Sequence, residues 1–314
     1  MKVHRDIDDL PDFRKAVGTI GTFDGVHSGH RQIFLQMKDE AALIGGETVI
    51  ITFHPHPRKV VKGRPGALQL LTTMDERIEL LKELGIDHLV VVPFTGEFAE
   101  MDADSYVKNF LVQRFHPHTI IIGYDHRFGK GRSGGYQLLE ALAKENAYEV
   151  KEIPEKLLND ATISSTLIRE SLLSGQVDKA AALLGYTYFF EAVVVHGQKR
   201  GRLIGYPTAN LEVTDVEKLI PGDGVYAVTA LVQSADGLQT LKGMLNIGFR
   251  PTVDGTRRVI EVHLFNFDGD LYEKNVKIFF HRYLRGEVRF DNIDALKAQL
   301  DADKASSLLL LDEI

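Results

Sequence analysis

The segment Gly21-Thr-Phe-Asp-Gly-Val-His27-Ser-Gly-His30 sets two imidazoles three residues apart, where a short apolar run gives way to helical spacing. Phosphate chemistry needs such a place, because unpaired N–H groups at a helix start and imidazole donors can neutralise charge on a transferring phosphoryl group. H-x-x-H alone is a common spacing, so its meaning depends on what converges with it. Thr52-Phe-His54-Pro-His56-Pro57-Arg58 carries two more imidazoles on a proline-stiffened loop, readable either as a ligand contact or as a plain turn. Gly123-Tyr-Asp125-His126-Arg127-Phe128-Gly129-Lys130-Gly131-Arg132-Ser-Gly134 is glycine-rich and basic, a phosphate-loop candidate or a mobile solvated loop. Ile163-Ser164-Ser165-Thr166-Leu-Ile-Arg169 puts hydroxyls where they cap a helix, with an arginine one turn on. The helix dipole disfavours that cation unless an anion is bound nearby.

A second set lies downstream. Gly197-Gln-Lys-Arg-Gly201-Arg-Leu-Ile-Gly205-Tyr-Pro207-Thr208-Ala-Asn210 combines glycines that let backbone approach phosphates with cations that attract them, or is simply a basic hairpin loop. In Val259-Ile-Glu261-Val-His263-Leu-Phe265 the alternation places Ile260, Val262 and Leu264 on one face and Glu261 with His263 on the other. A glutamate so placed on a strand is ordinarily a solvated surface carboxylate. Two familiar patterns are decoys. Gly129 to Gly134 matches G-x-G-x-x-G without abutting a strand, and Gly123 to Lys130 is one residue too long for a Walker A loop, with Gly131 where a hydroxyl should hold magnesium.

The elements that must position these residues change character near residue 185. Before it, short apolar runs alternate with amphipathic stretches, the pattern of a parallel sheet with crossover helices. Five strands are expected, at Val17 to Gly21, Thr48 to Phe53, His88 to Phe94, Thr119 to Tyr124 and Tyr148 to Ile153. Helices are expected at Arg31 to Leu43, from Thr73 to Leu84, at Ser105 to Phe115, Ser164 to Leu173 and Val177 to Leu184. His27, His54 and Asp125 then fall beyond carboxyl ends of strands, where open sheets bind ligands. After Tyr186 the period becomes two, predicting antiparallel strands at Val193 to His196, Gly224 to Val232, Met244 to Ile247, Val259 to Phe267 and Asn275 to Tyr283. Asp236-Gly237 and Asp268-Gly269 read as hairpin turns, and Ile293, Leu296 and Leu300 as the inner stripe of a late helix closing a barrel. The expected domains are 1–185 and 186–314.

Composition narrows the partners. The 314 residues carry a formal net charge of -7, which gives no electrostatic footprint for nucleic acid or an anionic membrane. There is no Cys, so thiolate chemistry and cysteine-ligated zinc are excluded. The N-terminus has no apolar signal core and no run is long enough to span a bilayer, so the expectation is a soluble, cytoplasmic protein.

Taken together, G-x-F-D-G-x-H-x-G-H, the Arg127-Phe128-Gly129 loop and Ile-Ser-Ser-Thr-x-Ile-Arg resemble, in order and spacing, the adenylyltransferase half of bacterial bifunctional riboflavin kinase/FAD synthetases. Gly-x-Pro-Thr-Ala-Asn and Val-Ile-Glu-Val-His, joined by Pro221-Gly-Asp-Gly224-Val-Tyr226 and Leu245-Asn-Ile-Gly248-x-Arg-Pro251-Thr, resemble the riboflavin kinase domain. The resemblance implies an α/β chain: a Rossmann-like nucleotidylyltransferase domain with a parallel sheet, then an antiparallel β-barrel kinase domain with a late helix. It implies that riboflavin and ATP give FMN, and that FMN and a second ATP give FAD and pyrophosphate, with Mg2+ as cofactor. It further implies that His27, His30 and Arg169 act in adenylyl transfer and Glu261 as the base in phosphorylation. Gly21, Phe23, Asp24, Gly25, Asp125, Phe128, Gly129, Ser164, Ser165 and Thr166 would hold the first nucleotide. Gly201, Gly205, Pro207, Thr208 and Asn210 would hold the second, with Thr208 and Asn210 on the metal. His126 stands where the family often has an aromatic. Two other readings stay open on the residues alone: zinc held by His27, His30, His54 and His56, and a non-catalytic flavin- or nucleotide-binding module. No oligomeric state is read from the sequence.

Overall fold

The computed structural model describes residues 1–61, 68–153, 163–197, 200–234, 237–252 and 255–313. By compactness the chain divides into Met1–Ser165 and Thr166–Ile314. The first unit is built on six parallel strands: β1 (Lys2–His4), β2 (Ala16–Ile20), β3 (Glu47–His54), β4 (His88–Pro93), β5 (Thr119–Gly123) and β6 (Glu149–Ile153). Their order is β1-β4-β3-β2-β5-β6. Successive strands step one way from β2 and then resume on its other side at β5, so the crevice outside the ends of β2 and β5 is the switch point where such sheets take ligands. β2 and β5 are buried along their whole length, which is why they read as continuous apolar runs instead of alternating ones.

The helix Ser28–Ile44 buries Ile33, Phe34, Met37 and Ala41 and ends on Gly45, whose φ of 65° is the left-handed stop. Met74–Glu83 opens on a capping box: the Thr73 hydroxyl accepts from Glu76 N, and the Glu76 carboxylate accepts from Thr73 N. Two expectations change here. A sixth strand, β1, escaped the sequence because three residues are too few to show a period. The helix expected at Ser105 to Phe115 is a π-helical stretch over Tyr106–Val112 between short α turns, and it buries Tyr106, Val107, Phe110 and Leu111.

The second unit starts with the helices that follow the first sheet. Ser165–Leu173 runs into it, Val177–Leu184 follows, and Arg282 on the barrel pairs with Asp178 at 2.9 Å. The barrel closes in the order β10-β11-β8-β7-β12-β9 from β7 (Phe189–Val195), β8 (Ala209–Glu212), β9 (Gly224–Ser234), β10 (Gly237–Thr252), β11 (Gly255–Leu264) and β12 (Asn275–Arg285). All its pairings are antiparallel, around a core that includes Phe190, Val194, Val228, Leu245, Val262 and Phe280.

Three sequence expectations are corrected in this unit. β8 was not foreseen, since four residues between two loops carry no readable alternation. Asp268-Gly269 is not a hairpin turn: β11 pairs with β10 and β8, and β12 with β7 and β9, so the segment between them crosses to a different neighbour. The turn at Asp236 lies outside the described residues. The late helix, Ile293–Asp312, buries Asp303, Ser307 and Leu311, whereas Ile293 is 61% exposed and Leu296 and Leu300 are half-buried. Arg285 explains the shift, because its guanidinium grips the Asp303 carboxylate in two-point fashion, Nε to Oδ1 at 3.0 Å and Nη2 to Oδ2 at 2.7 Å. An ion pair, invisible to hydrophobic spacing, sets the docking face.

At the sheet edge, His4 and His88 stack with ring centroids 5.3 Å apart, share a 3.1 Å hydrogen bond and both abut Phe13 edge-on. Burial first, then His88 and Lys2, lower the His4 pKa. Burial lowers that of His88 against the pull of Glu47 and Asp87, with Lys2 and the N-terminus adding to the lowering. Each ring binds its proton less well folded than unfolded, so this stability is fully present above the unfolded value of 6.5 and is lost as pH falls below it and through the lower folded value. Thermal melts at pH 7 and pH 5 are expected to show a smaller acid loss in His4→Phe than in the wild type; equal losses would show that the pair carries no linkage.

Candidate active sites

The first site is built at the end of β2. Gly21 is required by Phe23: a Cβ there would lie 2.8 Å from the Phe23 ring, which folds back under it. Phe23, Gly25 and Val26 all have positive φ, at 46°, 86° and 42°. Strained backbone of this kind persists only where its surroundings over-determine it. Here those surroundings are explicit. The Asp24 carboxylate, 1% exposed, accepts from Leu71 N at 3.2 Å and Thr72 N at 3.1 Å, Gly25 N donates to the Thr72 hydroxyl at 3.1 Å, and the Ser165 hydroxyl donates to Asp24 O at 3.1 Å.

The turn delivers His27 as the N-cap of the helix Ser28–Ile44, its Nδ1 accepting from His30 N at 3.4 Å. That nitrogen is therefore unprotonated in the neutral ring, and Nε2 carries the proton. His30 stacks on His27 at 3.5 Å between centroids and meets the Phe23 ring edge-on at 5.2 Å. Gly29 leaves only 3.3 Å between a built Cβ and the His27 ring, so a larger residue would press on the pair. Burial, then His27, then Arg77 hold the His30 pKa well below its ordinary value. Its Nδ1 is buried with no hydrogen-bond partner among the described residues. Buried polar atoms are normally satisfied, so this nitrogen calls for a partner such as a water, an ion or a ligand.

The loop after β5 is packed, not loose. Phe128 and Gly134 form a two-way backbone bridge at 3.1 and 3.0 Å, Gly129 at φ 72° sits where a Cβ would be 2.7 Å from Ala103 Cα, and Lys130 pairs with Glu100 at 2.8 Å. Phe128 stacks on Tyr106 and is 6% exposed, which makes it a wall of the loop, while Asp125 is exposed. His126 is largely buried beside Phe128, its Nε2 without a partner among the described residues, and burial pushes its pKa down to about 4. His56 has a structural task, its Nδ1 capping the short helix Pro57–Val60 by accepting from Arg58 N at 3.1 Å. Among the described residues no three or more His, Asp or Glu side chains are gathered to hold a metal, which removes the support for the histidine-zinc reading. Ser164, Ser165, Thr166 and Arg169 stand at the start of the helix Ser165–Leu173.

The second site is set by strand register. Glu261 on β11 is opposite Asn210 on β8 and opposite Asn246 on β10. Directly opposed residues in an antiparallel pair share a face with Cβ atoms roughly 5 Å apart. Ile260, Val262, Leu245, Ile247 and Leu211 are buried, so the row Asn246, Glu261, Asn210 lies on the other, half-buried face. The sequence missed Asn246, whose only signal is one amide in an apolar strand.

Two glycines shape the loop before β8. A Cβ on Gly197 would fall 2.0 Å from Asn210 Nδ2, and one on Gly201 would fall 2.1 Å from Tyr206 O and 3.5 Å from the Thr208 hydroxyl. Gly205 takes φ 85°. His263 Nδ1 lies 2.7 Å from Pro207 O; a carbonyl only accepts, so Nδ1 carries the proton and pins the residue before Thr208. Burial lowers the His263 pKa, partly offset by that bond and reinforced by Lys304. Tyr206 tilts against His263 and donates to Asp301 of the late helix. Thr208 and Asn210 offer only hard oxygen donors beside the Glu261 carboxylate, a set that fits Mg2+.

Known proteins match both halves. The FAD synthetase family pattern covers residues 10–167 and the riboflavin kinase pattern residues 184–311. A bifunctional riboflavin kinase/FMN adenylyltransferase of Listeria monocytogenes is 35% identical across 95% of this chain and 92% of its own length. That of Escherichia coli K12 is 34% identical across 92% and 90%. A crystal structure from Streptococcus pneumoniae, described as a macrolide-efflux protein, superposes with TM-score 0.87 at 31% identity, covering 98% of both chains. Among the described residues of this chain no helix is long and apolar enough to cross a membrane. Two enzymatic patterns in series, each falling on the residues that build one of the two sites, place the chain in the family of bifunctional riboflavin kinase/FMN adenylyltransferases, which convert riboflavin and ATP to FMN and then FMN and ATP to FAD.

Proposed function

We propose that the two reactions are divided at residues 185 and 186, with adenylyl transfer carried by 1–185 and riboflavin phosphorylation by 186–314, in the cytoplasm. In the first, an FMN phosphate oxygen attacks the α-phosphorus of ATP and pyrophosphate leaves, with no covalent intermediate on the protein. His27 Nε2–H and His30 contact the triphosphate and the charge that develops during transfer, which is electrostatic stabilisation by donors already in place. The orphan Nδ1 of His30 at the switch point is the observation that carries this assignment. Asp125, Gly129, Ser164, Ser165, Thr166 and Arg169 are assigned to the nucleotide on motif grounds. Asp24, with its carboxylate turned inward, acts by shaping the turn. Phe23 and Phe128 act as walls, and Gly21 and Gly25 by permitting the backbone path.

In the second reaction, the Glu261 carboxylate takes the proton of the riboflavin 5′-hydroxyl as that oxygen attacks the γ-phosphorus of ATP, the bond from the γ-phosphorus to the bridging oxygen breaks and ADP leaves. The register that sets Glu261 beside Asn210 carries the assignment. Thr208 and Asn210 would hold Mg2+, which neutralises phosphate charge when bound. Gly201, Gly205 and Pro207 bring backbone close to the phosphates, and His263 fixes that loop through Pro207.

Glu261→Ala is expected to abolish FMN formation and leave conversion of supplied FMN to FAD intact, whereas His30→Ala is expected to lower FAD formation roughly a hundredfold to a thousandfold and spare the kinase. Loss of both activities in either folded variant would refute the division. His263→Ala is expected to lower riboflavin phosphorylation roughly tenfold to a hundredfold by loosening Thr208, with FAD formation from FMN unchanged. Product chromatography from riboflavin, FMN, ATP and Mg2+ reads all three, and an unimpaired kinase in His263→Ala would remove its positioning role.

A further inference from the structure

We infer that Arg77 is a positioning residue for adenylyl transfer, holding from behind the turn that carries His27 and His30. It lies in the first turns of the helix Met74–Glu83 and is 2% exposed, so it is out of reach of substrate. Its guanidinium spans three pieces of chain. Nη1 donates to the Thr52 hydroxyl on β3 at 3.4 Å, and that hydroxyl donates in turn to Thr22 O at 3.3 Å. Nε and Nη2 donate to the Thr72 hydroxyl and carbonyl, each at 3.5 Å. Nη2 also stands 3.7 Å from Asp24 Oδ1. Every one of these links ends on the strained turn at Thr22 to Val26 or on the segment that clasps it.

A buried ion pair is poor evidence for stability, because its desolvation cost rivals its attraction and apolar replacements are often neutral. A cation near a helix start is also disfavoured by the dipole. The arrangement is better explained by what it fixes: a turn with three positive φ values, whose exit is the N-cap His27. After burial, the charges that lower the His30 pKa are those of His27, stacked on it, and of Arg77. Arg77 therefore acts through His27 and His30, and this inference rests on the reading of that pair given above.

The test uses the full chain and three variants: Arg77→Met, Arg77→Lys and Thr52→Val. FAD formation from supplied FMN and ATP is measured as kcat, KM and pH profile, with riboflavin phosphorylation by the same preparations as the internal control. Arg77→Met is expected to lower kcat roughly tenfold to a hundredfold with little change in the KM for ATP, since a small misplacement of catalytic groups costs rate more than binding. Its pH profile is expected to move to higher pH, because loss of the cation lets His30 keep its proton longer, a change that a merely structural role would not produce. Arg77→Lys is expected to restore most of the rate and the profile. A folded Arg77→Met with wild-type kcat and profile overturns the inference, as does an Arg77→Lys no better than Arg77→Met. Should Arg77→Met lose the kinase as well, Thr52→Val decides: a several-fold lower kcat with intact kinase supports the inference, and an unchanged kcat overturns it. If His30→Ala keeps FAD synthesis, the reading of the histidine site fails; if His30→Ala loses it and Arg77→Met does not, only this inference fails.

Discussion

The buried carboxylate of Asp24 is the contact on which the first site depends. It is a charge in the interior, tolerable only because two backbone N–H groups and a guanidinium surround it. Remove that arrangement and nothing compels Phe23 and Val26 into the left-handed region, so the helix Ser28–Ile44 loses the turn that presents His27 at its cap. The site is thus organised from the inside outward: a buried anion fixes a strained turn, the turn fixes a helix start, and the helix start offers two stacked imidazoles to the crevice between β2 and β5.

The barrel solves the same problem differently. Strand register orders the Glu261 site. A slip of one residue between β8 and β11 would turn Asn210 to the opposite face and break the row with Glu261 and Asn246. The loop that precedes β8 is then held by close backbone approach, through Gly197 and Gly201, and by the proton on His263 Nδ1. Glycine is required at Gly201 for want of space, because a Cβ would meet the Tyr206 carbonyl oxygen, whereas at Gly197 it would displace the Asn210 amide.

How much of this was legible follows from range. Parallel sheet, barrel, the helix starting after His27 and the capping at Thr73 are local patterns of period, cap and turn, and sequence carries them. β8 was not legible, because its identity as a strand comes from pairing with β7 and β11 and not from its own four residues. The face of the late helix was misread since Asp303 is buried by a partner eighteen positions upstream, Arg285, and hydrophobic spacing contains no trace of that bond. The task of the Asp24 carboxylate in clasping Leu71 N and Thr72 N was not legible from its motif, because those partners lie 47 and 48 positions downstream. Conserved-looking spacing identifies a machine's parts; only the fold tells which of them face the substrate.

The electrostatics of the histidine pair give the motif its chemical sense. Two imidazoles stacked at 3.5 Å cannot both hold protons comfortably, and burial with Arg77 makes the protonated state of His30 costlier still. On the proposed reading, a polyphosphate docking at the helix start would oppose that field and favour proton uptake by His30. The N–H donors of the proposed site are in place before the nucleotide arrives, and any added charge on His30 would then be directed at the reacting phosphate.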